Sequence, residues 1–139
     1  MELEAFFKKI TGFAPYQYQM AVANLLLSGK NVILTVPTGA GKTWASILPF
    51  LYAQNTENFK FPQKMIYSLP LRTLTNSIYS DVTKVLTEKE VIIGKTSIHT
   101  GEYKNDEHFE SDIIFSTIDQ TLSNFLCFPL SLSKRQANI

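Results

Sequence analysis

Residues 31–43 read NVILTVPTGAGKT, an apolar stretch that runs directly into a glycine-bearing loop ending Gly41-Lys42-Thr43. The residue types define a phosphate cradle. Gly39 and Gly41 free the backbone to turn N–H groups inward on phosphate oxygens, Lys42 reaches the β- and γ-phosphates, and Thr43 opens the next helix with a hydroxyl suited to Mg²⁺. Thr38 and Ala40 complete the loop. The common form of this motif has a glycine where this chain has Val36, and Pro37-Thr38 follow it.

Around this loop the apolar period alternates between that of a helix and that of a strand, in the order an α/β sheet requires. A short helix is expected over residues 3–10, docking Phe6, Phe7 and Ile10 and ending at Gly12. Pro15 suits a helix start, and residues 16–27 keep helical spacing until Ser28-Gly29. Strands are expected over 32–36, 64–69, 95–99 and 112–115. Helices are expected over 42–54, over 72–86, and from a Ser116-Thr117 cap through about residue 126. Residues 55–62 and 102–110 read as polar loops. The sequence shows no repeat, low-complexity tract or domain boundary.

Composition adds limits. The chain has 139 residues, 45% of them hydrophobic and 18% charged, enough for one core. A net charge of +1 carries no general basic signature, so any nucleic-acid contact must be local. The single cysteine, Cys127, cannot form an internal disulfide, and its apolar setting suggests an inert thiol. No signal-peptide pattern or membrane-length apolar run is present, so a cytoplasmic, membrane-free protein is the default expectation.

Further segments lie where ligands of open α/β sheets gather, at the carboxyl ends of strands and the starts of helices. Gln19, with Gln17 as its fallback, offers a donor and an acceptor that together suit an adenine edge, and Phe13 could stack on the ring or pack in the core. Arg72 and Thr73, after Pro70-Leu71, open a helix in a position suited to a backbone phosphate. Thr100 follows His99 at one strand end, and Thr117 and Gln120 flank Ile118-Asp119 at another. Phe6, Phe7, Phe50, Tyr52, Phe125 and Phe128 read as core rather than as base-stacking rings. Asp119 could be the acid of a nucleotide site, but Ser116-Thr117 end the apolar run early. Asp106-Glu107-His108 reads as a solvated loop, lacking an apolar strand before it.

In motif order the chain resembles the first RecA-like domain of a superfamily 2 helicase. The carrying residues are the glutamine motif at Gln19, the loop at residues 38–43, Pro70-Leu71-Arg72-Thr73-Leu74, His99-Thr100-Gly101, and Ser116-Thr117-Ile118-Asp119-Gln120. Within that group Thr117-Ile118-Asp119-Gln120 makes it most similar to the signature helicase of type I CRISPR–Cas systems. The resemblance implies an α/β, RecA-like P-loop domain with a mainly parallel sheet flanked by helices. ATP and Mg²⁺ would be held by Gln19, Thr38, Gly39, Ala40, Gly41, Lys42 and Thr43, of which Lys42 and Thr43 are catalytic. Single-stranded DNA would be held by Arg72, Thr73, Thr100, Thr117 and Gln120. It further implies a prokaryotic cytoplasmic motor recruited by a CRISPR surveillance complex, or working with a separate nuclease subunit.

Residues 1–139 would then be the N-terminal part of that domain, incomplete, without its Walker B box and without the second RecA-like domain. The expected consequence is ATP turnover at background rate by this chain alone. Two other classes fit the loop: a small P-loop phosphotransferase or switch NTPase using Asp119, and a non-catalytic fragment that binds nucleotide or a partner.

Overall fold

A central helix organises the first part of the chain because it is apolar on nearly every side. In the computed structural model, which describes residues 2–91, 93–101 and 110–126, two preceding helices pack against it. These are α1 (Leu3–Thr11), α2 (Gln17–Leu27) and the central α3 (Lys42–Asn55). Ala45, Ile47, Leu48, Pro49, Phe50, Leu51 and Ala53 of α3 are buried, as an apolar helix between two others must be.

Helix α1 buries Phe6, Phe7 and Ile10, and the Phe6 ring meets Tyr52 edge-on at 5.6 Å. It stops at Gly12, whose φ of 79° lets its N–H bond the Lys8 carbonyl at 2.9 Å. Glu4 in its first turn and Lys8 and Lys9 in its last complement the helix dipole.

The remaining elements are β1 (Met65–Leu69), α4 (Arg72–Glu88), β2 (Thr96–His99), β3 (Ile113–Thr117) and α5 (Ile118–Phe125). The three strands form one sheet in the order β1-β3-β2. Strands β2 and β3 run parallel, with Thr96 opposite Ile113 and His99 opposite Ser116. Every residue of β3 is buried, which accounts for an uninterrupted apolar run in place of alternation. Its Phe115 ring is contacted by Tyr67 at 5.7 Å and Tyr79 at 5.6 Å, fixing β1 and α4 on the central strand.

The described chain divides into two compact units. Met1–Met65 and Asp81–Gly94 form one; Ile66–Ser80 and Lys95–Ile139 form the other. Because each is assembled from two separated stretches and α4 runs through both, no single change in composition marks a boundary.

Three expectations need correction. Residues 32–36 form no strand: residues 31–37 alternate in exposure as extended backbone does, yet pair with nothing in a ladder, and Ile33 is 98% exposed. Apart from Met65, the sheet is built by residues of the other unit. Of Ser116 and Thr117, expected as a helix cap, Thr117 is indeed the N-cap residue of α5, but it makes no side-chain capping bond and both residues also end β3. Phe125 is 83% exposed and so is no core residue. Cys127, Phe128, the Asp106-Glu107-His108 stretch and all but Glu110 of the 102–110 loop lie outside the described residues.

Candidate nucleotide and nucleic-acid sites

The phosphate loop is shaped by two left-handed glycines, Gly39 at φ 81° and Gly41 at φ 85°. A residue bearing a side chain would be strained in place of either glycine. Beyond Gly41 α3 begins at Lys42, so the first N–H groups of the helix have no acceptor inside it and carry the positive end of its dipole. Thr38, Gly39 and Lys42 are exposed, and Ala40, Gly41 and Thr43 are half-buried. The Lys42 ammonium donates to the Val36 carbonyl at 3.0 Å, keeping it folded along the loop.

Helix α2 holds this loop from one side through two neighbouring side chains. Tyr18 donates its hydroxyl to the Ala40 carbonyl. The Gln19 Nε2 group donates to the Gly41 carbonyl at 3.1 Å, while its Oε1 accepts the Tyr16 N–H at 2.9 Å. Gln19 is only 6% exposed. Burial first, then the neighbouring Tyr16, raises the Tyr18 pKa above its ordinary value, so the phenol stays a donor. Tyr16 stacks on Tyr18 with ring centroids 6.0 Å apart.

Beside the loop opens a cavity of about 370 Å³ lined by Thr11, Phe13, Ala14, Tyr16, Gln19, Gly41 and Trp44. It is roomy enough for a nucleotide base. Sequence reasoning pointed to Phe13 and Gln19 but missed Tyr18 and Trp44; their adjacency to Gln19 and Thr43 was the available signal. Among the described residues no group of three His, Cys, Asp or Glu could hold a metal ion. The donor set at the loop, one threonine hydroxyl beside a lysine, suits Mg²⁺ that arrives on nucleotide phosphates and keeps most ligands from them.

The second unit gathers a different set. A β-carbon at Gly101, where φ is 66°, would stand 3.4 Å from an Arg72 guanidinium nitrogen and 3.5 Å from the Gln120 amide nitrogen. Arg72, the turn after β2 and the first turn of α5 therefore converge. Arg72 and Thr73 are exposed and Gln120 is half-buried. Thr100 and Thr117 are 0% and 2% exposed, so the expected hydroxyl contacts are not presented at the surface. His99, 4% exposed, is an interior residue of the strand end.

Asp119 joins this group. Its pKa is lowered chiefly by the Thr117 hydroxyl, against a smaller opposing effect of burial, and further by the N–H groups of Asp119 and Gln120 and by Arg72. The Thr117 hydroxyl acts here as a nearby dipole, since it makes no bond of full geometry. On α5, Thr121 shares a 2.6 Å hydrogen bond with Ser68 of β1.

A phosphate loop braced by a glutamine motif, and an arginine gathered with the ends of later strands, are the parts of one known domain. The sequence profile of the DEAD/DEAH box helicase family matches residues 16–138. This chain belongs to the DEAD/DEAH box helicase family. Among similar family members, the ATP-dependent DNA helicase Hel308 of Thermoplasma volcanium is 34% identical over 73 residues, 52% of this chain and 10% of that protein. The DEAD-box ATP-dependent RNA helicase CshC of Bacillus cereus is 33% identical over 109 residues, 76% of this chain and 26% of that protein. Putative helicase 7 of a Sulfolobus islandicus filamentous virus is 30% identical over 102 residues, 72% of this chain and 16% of that protein. The chain thus spans a quarter or less, about, of each of these helicases. The α/β architecture is that of an incomplete RecA-like helicase domain, and no described helix is long and apolar enough to cross a membrane.

Proposed function

We propose that this chain is the ATP-binding portion of a helicase or translocase that moves on single-stranded DNA, in the setting of type I CRISPR interference. The observation that carries the nucleotide half is the bracing of the Ala40 and Gly41 carbonyls by Tyr18 and Gln19 beside a base-sized cavity. Phosphates would lie on the backbone of residues 38–43, with Lys42 leaving the Val36 carbonyl to meet their charge. Thr43 would hold Mg²⁺, which when bound neutralises charge on the phosphates.

Support for the nucleic-acid half is the convergence of Arg72, Gly101 and Gln120, with Thr73 exposed beside Arg72. An exposed guanidinium at a helix start grips a sugar-phosphate backbone without reading bases, so binding should be weakly sequence-dependent and should fall as salt rises. Support for the CRISPR setting is the Thr117-Ile118-Asp119-Gln120 sequence; the partner would be a guide-RNA surveillance complex or a separate nuclease subunit, in a prokaryotic cytoplasm.

The experiment is ATP hydrolysis by the 139-residue chain with and without single-stranded DNA, beside Lys42→Ala. Background turnover together with Lys42-dependent ATP binding is the expected result. Lys42-dependent turnover indifferent to DNA would instead make the chain a small P-loop NTPase.

A further inference from the structure

The side chain expected to read the base is already engaged on both sides. Gln19 gives Nε2 to the Gly41 carbonyl at 3.1 Å and Oε1 to the Tyr16 N–H at 2.9 Å, and is almost wholly buried. Each of these atoms could accept or donate once more, but the amide is fixed in orientation by the loop and the helix start it joins. Three rings line the cavity: Phe13, 78% exposed; Tyr16, 63% exposed but with one face already stacked on Tyr18; and the half-buried Trp44.

Trp44 has the better-defined position. It follows Thr43 directly, within the first turn of α3, so one rigid helix start carries the phosphate-loop lysine, the metal-facing hydroxyl and the indole in succession. A base whose phosphates lie at the helix N-terminus and which enters the cavity is brought against that indole. Phe13 stands in the segment between α1 and α2, outside any regular element.

We propose that Trp44 is a positioning residue for the nucleotide base. Its indole forms the wall on which the base rests, while Gln19 serves mainly to hold the phosphate loop. This inference rests on the nucleotide-site reading and deepens it. Ring contact depends on area and not on the pattern of donors and acceptors, so adenine and guanine should be held alike and pyrimidines less well.

The test uses the 139-residue chain, in which Trp44 is the sole tryptophan, so ligand contact can be followed by its own fluorescence. Calorimetric titrations with ATP, GTP, CTP and inorganic tripolyphosphate run beside it, on the unaltered chain, Trp44→Phe and Trp44→Ala. Expected are ATP and GTP affinities within about fivefold of each other, quenching by both, and a loss of about tenfold for both in Trp44→Ala, a size typical of one stacked base. Trp44→Phe should retain most of the affinity, and tripolyphosphate should bind every variant equally. ATP preferred over GTP by far more than tenfold, or affinity unchanged in Trp44→Ala, overturns the proposal. Failure of both ATP and tripolyphosphate to bind the unaltered chain would overturn the nucleotide-site reading beneath it. If Trp44→Ala does not fold, the four-ligand comparison on the unaltered chain and Trp44→Phe still decides.

Discussion

The amide nitrogen of Gln19 lies 3.1 Å from the Gly41 carbonyl oxygen and only 2.8 Å from where a β-carbon on residue 41 would stand. Glycine is favoured at residue 41 by its left-handed φ of 85°, and a β-carbon there would also force the tip of the Gln19 side chain to shift. Gly41→Ala should cost about 1–2 kcal/mol through backbone conformation alone and should push Gln19 off the loop. Thermal melting should show the loss of stability, and calorimetry a fall in ATP affinity of more than tenfold.

Lys42→Ala separates binding from folding. The side chain is exposed and is bonded to a loop carbonyl, so stability should change by less than about 0.5 kcal/mol. ATP binding should nevertheless be reduced severely. A melting temperature that falls together with affinity would assign Lys42 a structural role instead.

Phe115→Ala addresses the second unit. The ring is fully buried between Tyr67 and Tyr79, and its removal should cost about 3–5 kcal/mol, as expected for deletion of a core aromatic. Urea denaturation followed by circular dichroism would measure it.

Gly101→Ala tests the surface around Arg72. With φ at 66° an alanine at residue 101 is strained, and relaxing that turn would shift the backbone beside which Arg72 and Gln120 lie, their nitrogens in ordinary contact at 3.4 and 3.5 Å from the new β-carbon. Affinity for a single-stranded oligonucleotide should fall about tenfold, the loss of one charge-assisted contact, with ATP affinity unchanged. Fluorescence anisotropy at two salt concentrations would read it, and an unaltered oligonucleotide affinity would exclude this face.

Asp119 gives a pH signature. Its folded pKa is lowered, so the ionised carboxylate adds stability at every pH above its unfolded value of about 3.9, and that contribution disappears as pH falls through the lower folded value. The side chain is exposed, so the effect is small. The difference in melting temperature between the unaltered chain and Asp119→Asn should stay level from pH 8 to pH 5 and shrink below about pH 4. A difference independent of pH would show that the carboxylate charge has no part.

Much of this was legible because local rules and packing agree. Gly12 ends α1, and Phe6, Phe7 and Ile10 are buried as their spacing required. The apolar residues Ile113, Ile114 and Phe115 of β3 read as strand from sequence alone, while its central place in the sheet did not. Residues 32–36 fail for a physical reason: apolar composition and alternation favour extension, but a strand exists only when another lies beside it. At the proposed sites, glycines and charged residues stand out by chemistry, whereas Tyr18 and Trp44 stand out only by where they lie. A threonine's type likewise does not disclose burial, which is why Thr100 and Thr117 looked available.

At the proposed nucleotide site, the bond from Lys42 to the Val36 carbonyl would make nucleotide capture an exchange. The exposed ammonium would give up the carbonyl oxygen as well as water for phosphate oxygens, and the gain would be the difference between these partners. Such a loop would bind its ligand without holding it fast, since the amine that lets go has a nearby carbonyl to return to.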